Sequence, residues 1–258
     1  MCTLTFAWQR FDEHLAVAAN RDESYARPTS GPAVRGDDPG VFTPRDEEAG
    51  GTWIGYNEVG VFAAITNRWS RDITDGDRSR GLLVREALTC RDATAAAEFV
   101  REELIARTYE PFQLVVADRR RALVFEHDGA LSVTDLAPGV YVVGNTGWCG
   151  ERVGPGDASE RQRTESFFVP GHRPERGRRH AANERRLLDT LLDVSADTAA
   201  TWLDTAGKLL GDHDYSVCVH GDGFGTKSAS LVRLGDERAW AFADGPPCET
   251  AFERLDAL

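Results

Sequence analysis

Lysine is almost absent from this chain: of its 258 residues only Lys208 and Lys227 carry an ε-ammonium, and the other cations are arginines. Acids outnumber bases 42 to 30, and a net charge of −12 excludes the basic field that a nucleic-acid or anionic-membrane surface needs. No apolar run approaches the ~20 residues of a membrane span. The apolar start TLTFAW is cut off at once by QRFDEH, too short for the core of a secretory signal, so a cytoplasmic protein is expected. Cysteine is sparse and scattered. Cys2, Cys90, Cys149, Cys218 and Cys248 are odd in number and form no CxxC pair, which argues against both a disulfide framework and a zinc site. What is present, with hydrophobic residues at 41%, suffices for a sizeable core. No domain boundary or internal repeat is visible, so residues 1–258 are expected to form a single domain.

Periodicity organises the rest. TLTFAW and LAVAAN alternate around a turn and predict a hairpin whose second strand runs into NRDES, which would bring residue 2 close to residues 20–22. GGTWIGYNEVGVFAAITN predicts a second hairpin with NEVG as its turn. SRGLLVREALTC and DATAAAEFVREELIARTY then place apolar residues at i, i+3, i+4 and i+7, the spacing of amphipathic helices, with Asp92 as an N-cap. PFQLVVAD, RALVFEHD, ALSVTDL and GVYVVGN return to strand alternation, joined by DRRR, DGA and APG as hairpin turns. GERVGPGDASERQRTESFFVPGHRPERGRRH reads as a long loop with at most one helical turn. Two more helices are expected in ANERRLLDTLLDV and SADTAATWLDTAGKLLG, the second capped by Ser195, and then strands in DYSVCVHG, TKSASLVRLG and RAWAFADG. Helices come in pairs between blocks of hairpin-linked strands, which excludes a doubly wound sheet. The order predicts an α+β fold, a four-layer αββα sandwich of two mostly antiparallel sheets.

Several positions invite chemistry. Cys2 directly follows Met1, and removal of that methionine would leave a thiol and a free α-amine on one residue. The amine, with an ordinary pKa of about 7.7–8.0, could act as base for the thiol. Equally, Cys2 could be a buried apolar residue. In NRDES, Asp22 could accept a hydrogen bond from that amine and Arg21 could stabilise a thiolate, or the cluster is a solvated strand end. Asn67 and Asn145 each end an apolar strand, as turn residues or as neutral oxyanion donors. HGDGFGTKS lacks the spacing of a phosphate loop and is followed by strand alternation, so it reads as a glycine-rich turn. His213, Cys218 and His220 could ligate a metal, but no second cluster completes a coordination sphere, and no metal is expected.

With MCT, NRDE, GGTWIG and TN in this order, the chain resembles the NRDE family, which includes the transport-and-Golgi-organisation protein two of animals. The likeness runs on through SRG at 79–81 and GTKSASLVRL to FER near the end. That family is similar to the N-terminal nucleophile hydrolases with their αββα fold, and to the bile acid hydrolases and penicillin V acylases that also begin Met-Cys. The resemblance implies Cys2 as nucleophile, its own α-amine as base, Asp22 as the anchor of that amine, and Asn67 and Asn145 at the oxyanion. These groups would gather in one pocket, and the substrate would be a small-molecule linear amide or lipid-like ligand, with no cofactor. A second expectation from the same family is a non-catalytic carrier of lipid or haem. Two departures stand out. Arg21 immediately precedes Asp22, where the bile acid hydrolases place their arginine two or three residues earlier. Lys227 stands where the family commonly has arginine.

Overall fold

The computed structural model describes residues 2–36, 38–70, 76–152 and 162–256. Six strands come first: β1 (Thr3–Trp8), β2 (Leu15–Ser24), β3 (Thr29–Arg35), β4 (Val41–Asp46), β5 (Ile54–Asn57) and β6 (Phe62–Asn67). Helices α1 (Arg80–Ala87) and α2 (Ala93–Ala106) follow. The next block is β7 (Phe112–Ala117), β8 (Ala122–His127), β9 (Leu131–Asp135), β10 (Gly139–Val143), β11 (Gly147–Arg152) and β12 (Gln162–Phe167). Helices α3 (Pro174–Asp193) and α4 (Ala199–Leu210), a 3-10 turn at His213–Tyr215, and β13 (Phe224–Leu234), β14 (Arg238–Ala243) and β15 (Glu253–Leu255) complete the chain. Two antiparallel sheets and four helices make this an α+β fold.

Contacts divide the chain into two compact units, Met1–Tyr25 with Ala137–Leu255, and Ala26–Leu136 with Asp256–Leu258. The first unit holds an eight-stranded sheet in the order β12-β11-β10-β1-β2-β13-β14-β15. Small residues on one of its faces (Ala7, Ala16, Ala18 and Val142) pack beneath Leu187, Leu191, Trp202 and Leu210 of α3 and α4. Removing these large side chains from water drives the docking, each contributing about 1.5–3 kcal/mol. The second unit holds a seven-stranded meander, β3 through β9 in chain order. Its helices α1 and α2 set Leu83, Val84, Ala96 and Val100 against Ala63, Leu114, Val116 and Phe125.

Both units close a helix end with a buried asparagine. Asn20 on β2 donates both Nδ2 hydrogens, to Leu210 O and Val217 O at 2.9 Å each, where α4 stops. Asn57 on β5 donates likewise to Leu88 O and Cys90 O at 2.8 Å, just past α1. The last carbonyls of a helix lack partners within it, and each carboxamide NH2 gives one hydrogen to such a carbonyl and the other to the segment that follows the helix.

Several local expectations need correction. APG at 137–139 is no hairpin turn: β9 pairs β8 and β10 pairs β1 and β11, so the chain changes sheets there. The stretch taken as a long loop contains the β11–β12 ladder, and α3 starts at Pro174, several residues before ANERR. Arginine and glutamate on the exposed edge strand β12 hid its alternation, and Pro at the first turn of α3 reads as a break although its fixed φ suits that position. The N-cap of α4 is Thr198, not Ser195. DYSVCVHG forms a 3-10 turn and a loop rather than a strand. The Pro/Gly-rich segment after Tyr25 contains β3, another exposed edge strand.

Candidate functional site

The β1–β2 hairpin pairs Thr3 with Asn20 and thereby sets Cys2 beside the end of the NRDE segment. The Cys2 Sγ lies 3.8 Å from the carbonyl oxygen of Asp22, which it can face as a thiol donor. On its other side β1 pairs with β10, Leu4 against Val143. Cys2 lies two residues before Leu4 and Asn145 two residues after Val143, so the two occupy the same end of adjacent antiparallel strands. Asn145 sits in the tight turn closed by Gly144 N–H donating to Gly147 O at 3.0 Å, and it is buried.

Asp22 is buried and is gripped by the neighbouring strand. Thr226 of β13 faces it in register, and the threonine hydroxyl donates to Asp22 Oδ1 at 2.6 Å. The same hydroxyl accepts the Val219 amide hydrogen at 2.8 Å, so its one proton is committed to the carboxylate. Thr226 escaped the sequence reading because nothing local announces that β13 lies against β2. Immediately after it a bulge opens at Lys227, whose Nζ donates to Tyr25 O at 3.0 Å. Arg21 is buried and its guanidinium comes within 3.8 Å of Glu23, on the face that alternation gives to both.

Desolvation dominates the electrostatics. Burial raises the Cys2 thiol above its ordinary value, the Asp22 charge adds to this, and the Asp22 backbone bond and Arg21 charge pull the other way. Burial also raises Asp22, opposed by the Thr226 hydrogen bond. Burial favours the neutral form of each, and nearby cationic charge favours the ionised form.

Behind Asn145 stands a pair that sequence reading missed because it began the helix at Ala182 and left His180 in the loop. His180 and Glu184 lie one turn apart on α3, His180 Nε2 within 3.2 Å of Glu184 Oε1. The Asn145 amide hydrogen points at the same Nε2, at 3.4 Å. Burial pushes His180 down to about 4 and holds Glu184 well above the usual carboxylate range, so burial favours the neutral form of each. A neutral imidazole with its hydrogen on Nδ1 has one lone pair at Nε2, which is what the Asn145 amide requires. Gly144 makes room for this carboxyl: a Cβ there would fall 1.8 Å from Glu184 Oε1.

Asn67 ends β6 in the second unit, where it is exposed and registers with Phe112. The residue after it, Arg68, is held by Glu126 at 3.0 Å and Asp128 at 3.1 Å. Met1, whose removal the N-terminal chemistry needs, lies outside the described residues. Two of the quoted motifs turn out to be packing devices. In GGTW, a Cβ on Gly51 would fall 2.2 Å from the backbone carbon of Gly81 in SRG, and the Thr52 amide donates to Gly81 O at 3.0 Å. A cavity of about 310 Å³ in the second unit, lined by Arg35, Thr43, Arg45 and Arg85 among others, has no cysteine or histidine in its wall.

The expectation that no second cluster joins His213, Cys218 and His220 fails. The turn after β14 carries Cys248 back to them, and the four ligand atoms (two sulfurs and two ring nitrogens) lie within 4.8 Å of one another. Gly211 at the end of α4 permits the approach: even a Cβ there would lie 3.1 Å from Cys248 N. Thirty positions of sequence separation concealed it.

Solved structures share this fold. Penicillin V acylase from Agrobacterium tumefaciens superposes with a TM-score of 0.55 at 11% identity, covering 99% of this chain and 86% of that one. A variant of conjugated bile acid hydrolase from Clostridium perfringens gives 0.57 at 14% identity, covering 99% and 92%. The Caenorhabditis elegans orthologue of N-acylethanolamine-hydrolyzing acid amidase gives 0.51 at 12%, covering 89% and 92%. These are N-terminal nucleophile hydrolases, and at such identities the likeness is one of fold. Among curated sequences, Transport and Golgi organization protein 2 homologs of Bos taurus and Homo sapiens are 32% and 31% identical over 139 residues. These matches cover 51% of this chain and 50% of each relative, so the chain spans about half the length of the curated relatives it matches. The family model described as Transport and Golgi organisation 2 matches residues 1–244, and the chain belongs to that family.

Proposed function

We propose that the chain is a cysteine amidohydrolase in which Cys2, once Met1 is removed, attacks the carbonyl of a linear, non-peptide amide. In this reading the thiol proton passes to the Cys2 α-amine, an acyl-enzyme forms, the amine product leaves, and water then releases the acid. Asp22, held by Thr226, anchors the α-amine. Arg21 contributes positive charge near the thiolate, and Asn145 offers a neutral donor to the developing oxyanion. Asn67 enters on resemblance alone. The observation that carries the proposal is the setting of Cys2, its thiol 3.8 Å from the backbone of a carboxylate residue that is itself clamped from the far strand. The solved neighbours named for amide substrates support an N-acyl amide as the substrate class.

One observation favours a second reading, a carrier of a lipid-like or haem ligand. Burial raises both Cys2 and Asp22, opposite to the lowered thiol of a reactive cysteine. The test uses intact-mass measurement and a panel of N-acyl amides assayed with the Met-processed protein, alongside Cys2→Ser. Loss of Met1, turnover of at least one amide, and its abolition in Cys2→Ser are expected. Retained Met1, or turnover that survives the substitution, removes the hydrolase reading.

A further inference from the structure

We propose that His213, Cys218, His220 and Cys248 form a structural zinc site that takes no direct part in the chemistry at Cys2. The case is geometric. Cys218 Sγ and Cys248 Sγ are 3.5 Å apart, His220 Nε2 is 3.6 Å from the first and 3.1 Å from the second, and the His213 and His220 rings are 5.2 Å apart. Zinc binds thiolate at about 2.3 Å and imidazole at about 2.0–2.1 Å in a tetrahedron. Such a tetrahedron has S···S edges of about 3.8 Å and S···N edges of about 3.6 Å, so the side chains already stand at near-coordination spacing. Two thiolates and two imidazoles are the donor set of closed structural sites, which leave no position for substrate.

The ligands are also mounted on a fixed loop. Asn20 ties Leu210 and Val217 to β2, and Val219 exchanges backbone and side-chain hydrogen bonds with Thr226 at 2.8 Å. Between these anchors Ser216 adopts φ +55°, turning the chain so that 213 and 220 meet. A metal here would join the 3-10 turn that carries His213, the loop that carries Cys218 and His220, and the β14–β15 turn that carries Cys248. It would also stiffen Val219 and through it Thr226, the residue that holds Asp22. Binding deprotonates the two thiols and releases their protons to solvent, and no electron is transferred.

The experiment takes untagged protein grown with added zinc and purified without chelator. One zinc per chain is expected by elemental analysis, together with a melting temperature that falls on chelation and recovers on adding zinc alone. Cobalt(II) added to the stripped protein should give the intense visible bands of a tetrahedral thiolate complex, and zinc should bleach them. Cys248→Ser, at an exposed position, should fold and bind zinc with a loss exceeding the roughly 10–100-fold cost of removing an outer-shell partner. Cys90→Ser, outside the cluster, should leave metal content unchanged. Protein that takes up neither zinc nor cobalt overturns the proposal. So does full affinity in Cys248→Ser, or a mass lower by two hydrogens with Cys218 and Cys248 joined as a disulfide.

Discussion

The Thr226 hydroxyl and the Asp22 carboxylate meet at 2.6 Å across 204 positions of sequence, in the buried register between β13 and β2. Thr226→Val keeps the shape of the side chain and removes its proton and lone pairs, leaving both Asp22 and the Val219 amide short of a partner. A loss of about 1–3 kcal/mol in urea denaturation is expected, the usual cost of leaving buried polar groups unsatisfied. Thr226→Ser restores both bonds and should lose only about 1 kcal/mol for the missing methyl. Equal losses in the two variants would show that packing, not the hydroxyl, is what counts.

Asp22→Asn is expected to lower turnover of an amide substrate far more than Glu23→Gln. Asp22 is buried against Thr226, whereas Glu23 is part-exposed and faces Arg21. Comparable losses at both positions would contradict the anchoring role.

Asn145→Ala should reduce kcat by about 10²–10³, the usual weight of one oxyanion donor, with KM little changed. Asn67→Ala tests the second asparagine in the same assay. A variant whose kcat stays within about twofold of the parent is no oxyanion donor.

Stability should depend on pH through His180. Its folded value is lowered to about 4 from an ordinary 6.5, so on acidification the unfolded chain takes up this proton first. The contribution is complete above about 6.5 and is lost as pH falls from there towards about 4, up to about 3 kcal/mol in all. Glu184 acts with the opposite sign: raised by burial, it keeps its proton in the fold while the unfolded chain loses one as pH rises past the ordinary value of 4.5. His180→Gln should abolish the acid loss between those limits and Glu184→Gln the opposing slope, read from urea midpoints across pH. Unchanged slopes would mean that burial does not shift the pair as described.

Gly51→Ala should cost about 3 kcal/mol or more, because the new Cβ strikes the backbone of Gly81 at 2.2 Å and backbone cannot swing aside. Gly50→Ala, with open space around it and a φ of +70°, should cost only about 1 kcal/mol in conformational strain. Similar melting temperatures for the two would show that the GGTW–SRG contact is looser than its geometry indicates.

What sequence alone determined was local. Alternation in TLTFAW and LAVAAN was enough for the β1–β2 hairpin, because a strand with buried faces shows its period directly, and that hairpin fixes Cys2 beside Asp22. The apolar spacing and Asp92 sufficed for α2, whose first turn Asp92 caps at the Ala95 amide. Edge strands β3 and β12 were illegible because side chains facing solvent follow no period. Tertiary structure decided every relationship that depends on which strands become neighbours. It set Thr226 on Asp22, made Asn20 of the NRDE segment the staple of α4, placed His180 and Glu184 behind Asn145, and returned Cys248 to His213, Cys218 and His220. Such pairings are selected by the burial and hydrogen bonding of the whole sheet, and no window of a few residues contains them.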